Sequence, residues 1–259
     1  MADQTIDFAL VPVENSQAGS ILETYDLLLE YRALVAAEVA LQVDHCLLTL
    51  PEADRHQLKR VLSHPQALAQ CEAFIVRENL EPIPVYDTAG AARQVQQEGR
   101  RDQAAIAGRR AAELYGLEIA AERIQTVQDN ITRFFLISRR GAKRPRPPRI
   151  KRPRYGKKTS LVCAVPNEPG ALYRLLACFN EFGVNLSKLE SRPRRDPAWE
   201  YLFYLDLDGG RSEKPVAAAL RAARRATTFI QVLGTYTRAL PLAAPPRRRR
   251  RKSRSPAEP

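Results

Sequence analysis

The sequence predicts two α/β units in tandem, an α/β block over residues 1–138 and a smaller α+β block of ferredoxin-like order over 159–240. Three observations carry this reading. Strand and helix patterns alternate through the first block, which implies a largely parallel sheet with helices against it. The second block runs β-α-β-β-α-β, the split arrangement of ferredoxin-like folds. Between them, residues 139–158 hold eleven Lys or Arg and no acid, interleaved with proline, and cannot build a core.

In the first block, "IDFALVPV" is a short strand closed by Pro12. "AGSILETYDLLLEY" sets Ile21, Leu22, Tyr25, Leu28 and Leu29 at helical spacing, with Ser20 and Glu23 placed as a capping box. "VAAEVALQVDHCLLTL" has the residue types of two strands, and a helix begins at Pro65, which suits a first turn. "EPIPVYD" is a short strand and "TAGAARQVQQEG" a helix ending at Gly99. "AAIAG" is a strand, "RRAAELYGL" a helix closed by Gly116, and "TRFFLI" a buried strand.

In the second block, "TSLVCAV" is a strand. "GALYRLLACFNEFG" is a helix with Leu172, Leu175, Leu176, Phe179 and Phe182 on one face and Gly183 past its end. "VNLSKLESR" is a strand, and "WEYLFYLDL" alternates with period two, placing Tyr201, Phe203, Leu205 and Leu207 on one side. "EKPVAAALRAARRA" and "FIQVLGTYTR" complete the unit as helix and strand.

The formal charge of +12 has the balance of a nucleic-acid binder, but its distribution does not. Residues 139–158 and 247–254 hold eleven and seven Lys or Arg with no acid; removing these eighteen takes +12 to −6. The basicity belongs to a linker and to a tail, 241–259, read as disordered, and nucleic acid is not the expected partner. Cys46, Cys71, Cys163 and Cys178 are widely spaced in apolar settings and read as buried free thiols. His45, His56 and His64 have no partner at metal spacing, so neither a metal nor any other cofactor is assigned. With no signal peptide and no long apolar run, a cytoplasmic location without membrane contact is the default expectation.

Polar residues gather where strands end, the place at which open α/β sheets bind ligands. Asn15 and Ser16 follow the first strand, and Thr132 and Arg133 open the last strand of the block. Asn15 can donate to a carboxylate; Ser16 alone reads better as a turn residue. Arg133 suits a carboxylate, or it points outward, and "TR" reads equally as a strand opening whose arginine pairs elsewhere. Ser63 precedes a helix and either meets an anion or caps that helix. Gln70 lies two turns on and can point into the cleft, and Thr88 is a further hydroxyl that reads equally as a cap.

The ordered set "VPVENSQAGSILETYDLL", "DHCLL", "SHPQALAQC", "AAIAG…AAELYGL" and "NITRFFLI" resembles the catalytic domain of the prephenate dehydratases. "NEPGALYRLL" followed by "ESRP" resembles their regulatory ACT domain. The resemblance implies a two-lobed catalytic domain of the periplasmic-binding-protein type II kind. It implies decarboxylating dehydration of prephenate to phenylpyruvate, with arogenate as the chemically related substrate. Family members begin with a further stretch carrying a "GPxGTF"-like turn, so the first lobe is expected to be truncated, and a catalytically inactive chain that keeps only phenylalanine sensing is the alternative.

By the same resemblance Thr132 is the catalytic residue, with Asn15, Ser16, Ser63, Gln70, Thr88 and Arg133 around the substrate. Asn167, Gly170, Ala171, Leu172, Glu190, Ser191, Arg192 and Pro193 would line a phenylalanine site between two ACT domains, in a homodimer or homotetramer. The chemistry asks for a bound dianion and a donor at the leaving hydroxyl, and aromatisation supplies the driving force.

Overall fold

The computed structural model describes residues 6–139, 156–193 and 201–239, together with the backbone of Pro241–Leu242. Most of the basic linker and tail lies outside these residues.

β1 (Phe8–Asn15) runs into the first polar cluster and turns back through β2 (Gly19–Ser20). α1 (Leu22–Glu30) buries Tyr25 and Leu28. The residue before it is Ile21, which makes no side-chain cap; Ser20 instead sits in β2 and donates to Glu190 Oε2 at 2.6 Å. The capping box read at Ser20 is therefore not formed, because the hydroxyl is drawn to the second domain. β3 (Leu34–Gln42) follows, and the chain then leaves this sheet to build a second lobe.

The second lobe contains β4 (Cys46–Thr49), β5 (Arg60–Ser63), β6 (Glu81–Pro84), β7 (Gln103–Ala107) and β8 (Glu118–Glu122) in the order β6-β5-β7-β4-β8. Its helices are α2 (Pro65–Gln70), α3 (Glu72–Arg77), α4 (Thr88–Glu98) and α5 (Arg109–Tyr115). Side-chain alternation splits the strands between two cores. Leu47, Val61 and Ile106 pack with Leu68, Phe74 and Ile75, whereas Leu48, Leu62 and Ala105 pack with Ala91, Val95 and Ala112. Gly99 and Gly116 end α4 and α5 with φ near +64° and +67°, a conformation that glycine adopts without steric cost. β5 and β8 carry too weak a pattern to read as strands: β5 is four residues long and "EIAAE" has a single β-branched residue.

β9 (Ile131–Ser138) brings the chain back between β1 and β3, antiparallel to both. Here the expectation of a largely parallel sheet is corrected. In the second lobe only β6-β5-β7 are parallel, and β4 is antiparallel to its neighbours β7 and β8. β9 re-enters the first sheet from the far lobe, so it must run opposite to the strands that left it.

The second domain has the predicted order: β10 (Lys157–Ala164), α6 (Ala171–Glu181), β11 (Leu186–Pro193), β12 (Tyr201–Asp208), α7 (Lys214–Ala223) and β13 (Phe229–Thr237). Its antiparallel sheet is ordered β11-β12-β10-β13. Leu161, Phe203, Leu205 and Leu207 meet α6 and α7 on one face. Val162, Leu202, Tyr204 and Tyr236 face the first domain's sheet, against Val13, Tyr25, Val35 and Phe135. Tyr25 and Tyr204 lie 4.8 Å apart between ring centres and Phe135 and Tyr236 5.6 Å, pairs worth about 0.5–1.5 kcal/mol each beyond their buried area. Close approach of β13 to β3 uses Gly234, since a Cβ there would stand 2.1 Å from the Val35 carbonyl oxygen.

Two boundaries move. Lys157 and Lys158, read as linker, belong to β10, and Lys158 is buried. The backbone of Pro241–Leu242, read as tail, forms β14 parallel to β3.

Candidate active site

The polar clusters read at opposite ends of the first block meet. β1 and β9 pair so that Asn15 stands opposite Thr132 and Glu14 opposite Arg133. Successive residues of a strand point to opposite faces, so the two rungs serve different surroundings. The Asn15–Thr132 rung faces the second lobe; the Glu14–Arg133 rung faces the second domain.

On the first rung, Asn15 is buried and its orientation is set by a turn. Its Oδ1 accepts from the backbone N–H groups of Gln17 and Ala18, each at 3.0 Å. That leaves Nδ2 as donor, to Thr132 Oγ1 at 3.0 Å and to Asn130 Oδ1 at 2.8 Å. Asn130 Nδ2 donates to Gln70 Oε1 at 2.9 Å, and His45 Nε2 lies 2.8 Å from the same oxygen. An oxygen that already accepts from Asn130 can only accept again, so His45 carries its proton on Nε2. The bond directions in this five-residue chain thus follow from one turn. Its outcome at Thr132 is chemically specific: Oγ1 accepts from Asn15, which leaves the hydroxyl proton free to be donated outward.

His45 is buried, and its Nδ1 has no partner among the described residues. Burial pulls the imidazole pKa below its ordinary value, against the opposing pull of Gln70 and Asp44, so the ring is neutral near pH 7. An open pocket of about 490 Å³ lies beside the chain, lined by Gln17, Gln70, Glu72, Val76 and Thr126. Gln70 joins pocket and network; Thr132 is half-buried and not among the lining residues. Among the described residues no lysine or arginine lines this pocket; Glu72 is its charged residue, and its side-chain donors are neutral amides and a hydroxyl.

The other predicted residues divide. Ser16 is held within the turn, donating to the Asp129 carbonyl and accepting from Ile131 N–H, each at 2.9 Å. Ser63 is fully buried at the end of β5 and donates to the Ile106 carbonyl at 2.6 Å. It does not cap α2; His64 does, accepting from Gln66 N–H. Thr88 opens α4, but the cap is Asp87, which accepts from Gly90 N–H at 2.6 Å. Arg133 is turned away from the amide chain: it pairs with Glu14 at 2.8 Å, with Glu38 at 3.0 Å and with Asp206 of the second domain. The alternative in which the arginine pairs elsewhere is the one observed. The structure adds Asn130 and His45 to the candidate residues. Asn130 sits two residues before Thr132 on the same side of the chain, a spacing that points to it; nothing in "DHC" singles out the histidine.

In the second domain Asn167 and Gly170 are exposed in the loop before α6, while Ala171 is buried and Leu172 half-buried in its first turn. Glu190, Ser191, Arg192 and Pro193 end β11 at the sheet edge. Two of them reach the first domain of the same chain: Glu190 accepts from Ser20, and Arg192 makes a double hydrogen bond with Asp26.

The profile of the prephenate dehydratase family matches residues 1–142, more than half of the chain. The chain belongs to the prephenate dehydratase family. Residues 159–225 match the ACT domain family. Arogenate dehydratase 1 of Petunia hybrida is 44% identical over 246 residues, covering 89% of this chain and 56% of the petunia protein. Among solved structures, prephenate dehydratase from Arthrobacter aurescens in complex with L-Phe superposes with a TM-score of 0.79 at 32% identity, covering 92% of this chain and 77% of that one. A protein described as GqqA, a novel type of quorum quenching acylase, gives the same TM-score of 0.79 at 35% identity, covering 91% of this chain and 83% of that one. The chain therefore spans a little over half the length of the petunia family member.

Proposed function

We propose that this protein catalyses the decarboxylating dehydration of prephenate to phenylpyruvate, on the route to L-phenylalanine, and that Thr132 holds the leaving oxygen. The observation that carries the reading is the Asn15–Thr132 hydrogen bond, whose direction leaves the threonine proton available. Family membership supports the reaction class.

The steps balance without a cofactor. The C4–O bond breaks with its electron pair going to oxygen. The bond from C1 to the ring carboxylate breaks, its pair entering the ring as the diene becomes aromatic, and carbon dioxide leaves. The departing hydroxide is met by the Thr132 O–H and takes a proton from solvent to become water. A threonine hydroxyl is a poor acid, so its contribution is an oriented hydrogen bond; a donor fixed in this way is worth about 10²–10³ in rate. The side chain of Gln70, aimed at the pocket from α2, is placed to donate to a substrate carboxylate.

Arogenate is the second substrate to weigh, since the petunia relative bears that name. An acylase reading, prompted by the other structural neighbour, lacks support at the site: among the described residues no serine or cysteine is hydrogen-bonded to a histidine. Phenylalanine is proposed as effector, with Asn167, Gly170 and the "ESRP" residues as its contacts across a dimer of ACT domains. The L-Phe complex of the Arthrobacter protein supports that part.

The test is turnover by the purified chain with prephenate and with arogenate separately, following phenylpyruvate and phenylalanine, with added phenylalanine in a parallel series. Phenylpyruvate formation slowed by phenylalanine is expected; consumption of neither substrate would reject the proposal.

A further inference from the structure

Arg133 was expected to hold substrate, yet it occupies the rung next to Thr132 on the opposite face of β9. Its guanidinium is 12% exposed and spans three carboxylates: Glu14 on β1, Glu38 on β3 and Asp206 on β12. Each carboxylate has a further partner in the second domain. Glu14 meets Lys188 at 3.0 Å, Glu38 meets Lys158 at 3.6 Å, and Asp206 accepts from Ser160. A buried arginine in such a setting is fixed in charge and position, because removing any partner leaves an uncompensated ion.

The strand beside it needs fixing. β1 changes register against β9 between Pro12 and Glu14, a bulge that interrupts the ladder and leaves the last two rungs, Glu14–Arg133 and Asn15–Thr132, separated from the regular pairing above. Beyond Asn15 the strand ends.

We infer that Arg133 is a positioning residue: by gripping Asp206, the second domain's sheet holds β9 in register against β1 and so holds Thr132 against Asn15. The inference rests on the reading of Thr132 as the oxygen's donor, and it assigns Asp206, in the ACT domain, a part in the geometry of a site that it does not touch.

The experiment compares the full-length wild type with Asp206→Asn, which keeps the side chain's shape and its bond to Ser160, with Arg133→Lys, and with the double variant. Hydrogen exchange is read at the amides of residues 131–133, with those of β7 as an internal control for global unfolding, and kcat and KM are measured alongside. Expected is exchange roughly tenfold faster at 131–133 with β7 unchanged, kcat lowered with KM held, and a double variant no worse than the more affected single. The proposal is overturned if Asp206→Asn loosens only the β12 segment, or if Arg133→Lys raises KM while sparing kcat, the mark of a substrate ligand. Exchange is readable without turnover, so an inactive wild type would reject the proposed function while this inference is still decided.

Discussion

Asn15 Nδ2 stands 3.0 Å from Thr132 Oγ1, and Asn15 Oδ1 is already taken by two backbone N–H groups. The asparagine can therefore only donate to the threonine. Asn15→Asp reverses this, since a carboxylate accepts from the threonine proton and withdraws it from substrate. Asn15→Ala merely frees the hydroxyl to rotate. We expect kcat to fall in both, by about 10²-fold in the aspartate variant and by less in the alanine variant. Steady-state kinetics on folded protein checks the order; equal losses would show that bond direction is unimportant.

His45 supplies a pH signature. Its pKa is lowered in the folded chain, so folding favours the neutral ring. Stability from this group is complete above the unfolded value of about 6.5 and is lost as pH falls below it toward the folded value. The physical reason is local: a protonated ring would carry a buried Nδ1–H with no acceptor. Urea midpoints measured from pH 8 to pH 5 should fall more steeply for wild type than for His45→Gln, which can still donate to Gln70. Parallel curves would count against a buried neutral imidazole.

Much of this site could be read in the residues, and the unread parts share a cause. Asn15 and Thr132 drew attention as polar residues at a strand's end and a strand's start, and Gln70 as the residue two turns beyond Ser63; the structure joins the three in one network. The two readings of Arg133, toward a substrate carboxylate or paired elsewhere, stay open in the sequence because a strand shows alternation but not which partner waits on each face. The same gap hid Asp206: "WEYLFYLDL" alternates as expected, yet both faces are buried, and the face away from α6 and α7 meets a domain far away in sequence. Lys158 looked like one more linker cation, and only the sheet-on-sheet contact brings it near Glu38 and Asp206. Ser63 and Thr88 stood between anion contact and capping; the caps are the neighbouring His64 and Asp87, a one-residue shift that local sequence rules do not resolve.

Gly234 tests the packing between domains. A methyl group there would overlap the Val35 carbonyl and force β13 away from β3. Gly234→Ala should destabilise the protein by about 1–3 kcal/mol, seen as a lower urea midpoint, and should loosen the face that carries Asp206. An unchanged midpoint would mean that the two sheets are not in contact.

The thiols should be slow to react. Burial pushes Cys71 and Cys163 up to about 12 and raises Cys46, while Cys178 is half-buried and also raised. Alkylation of native protein at pH 8 should therefore label Cys178 at most, with the other three appearing after denaturation. Rapid labelling of Cys71 in native protein would contradict the packing around α2 and α3.

The hydroxyl at position 132 bears the whole chemical account, and the direct measurement is kcat with prephenate for Thr132→Ala beside Thr132→Ser, both confirmed folded. A loss of about 10²–10³-fold is expected in the alanine variant with KM little changed, and substantial recovery in serine, which keeps the oxygen and its proton. Alanine turning over like wild type, or serine failing as badly as alanine, would contradict it.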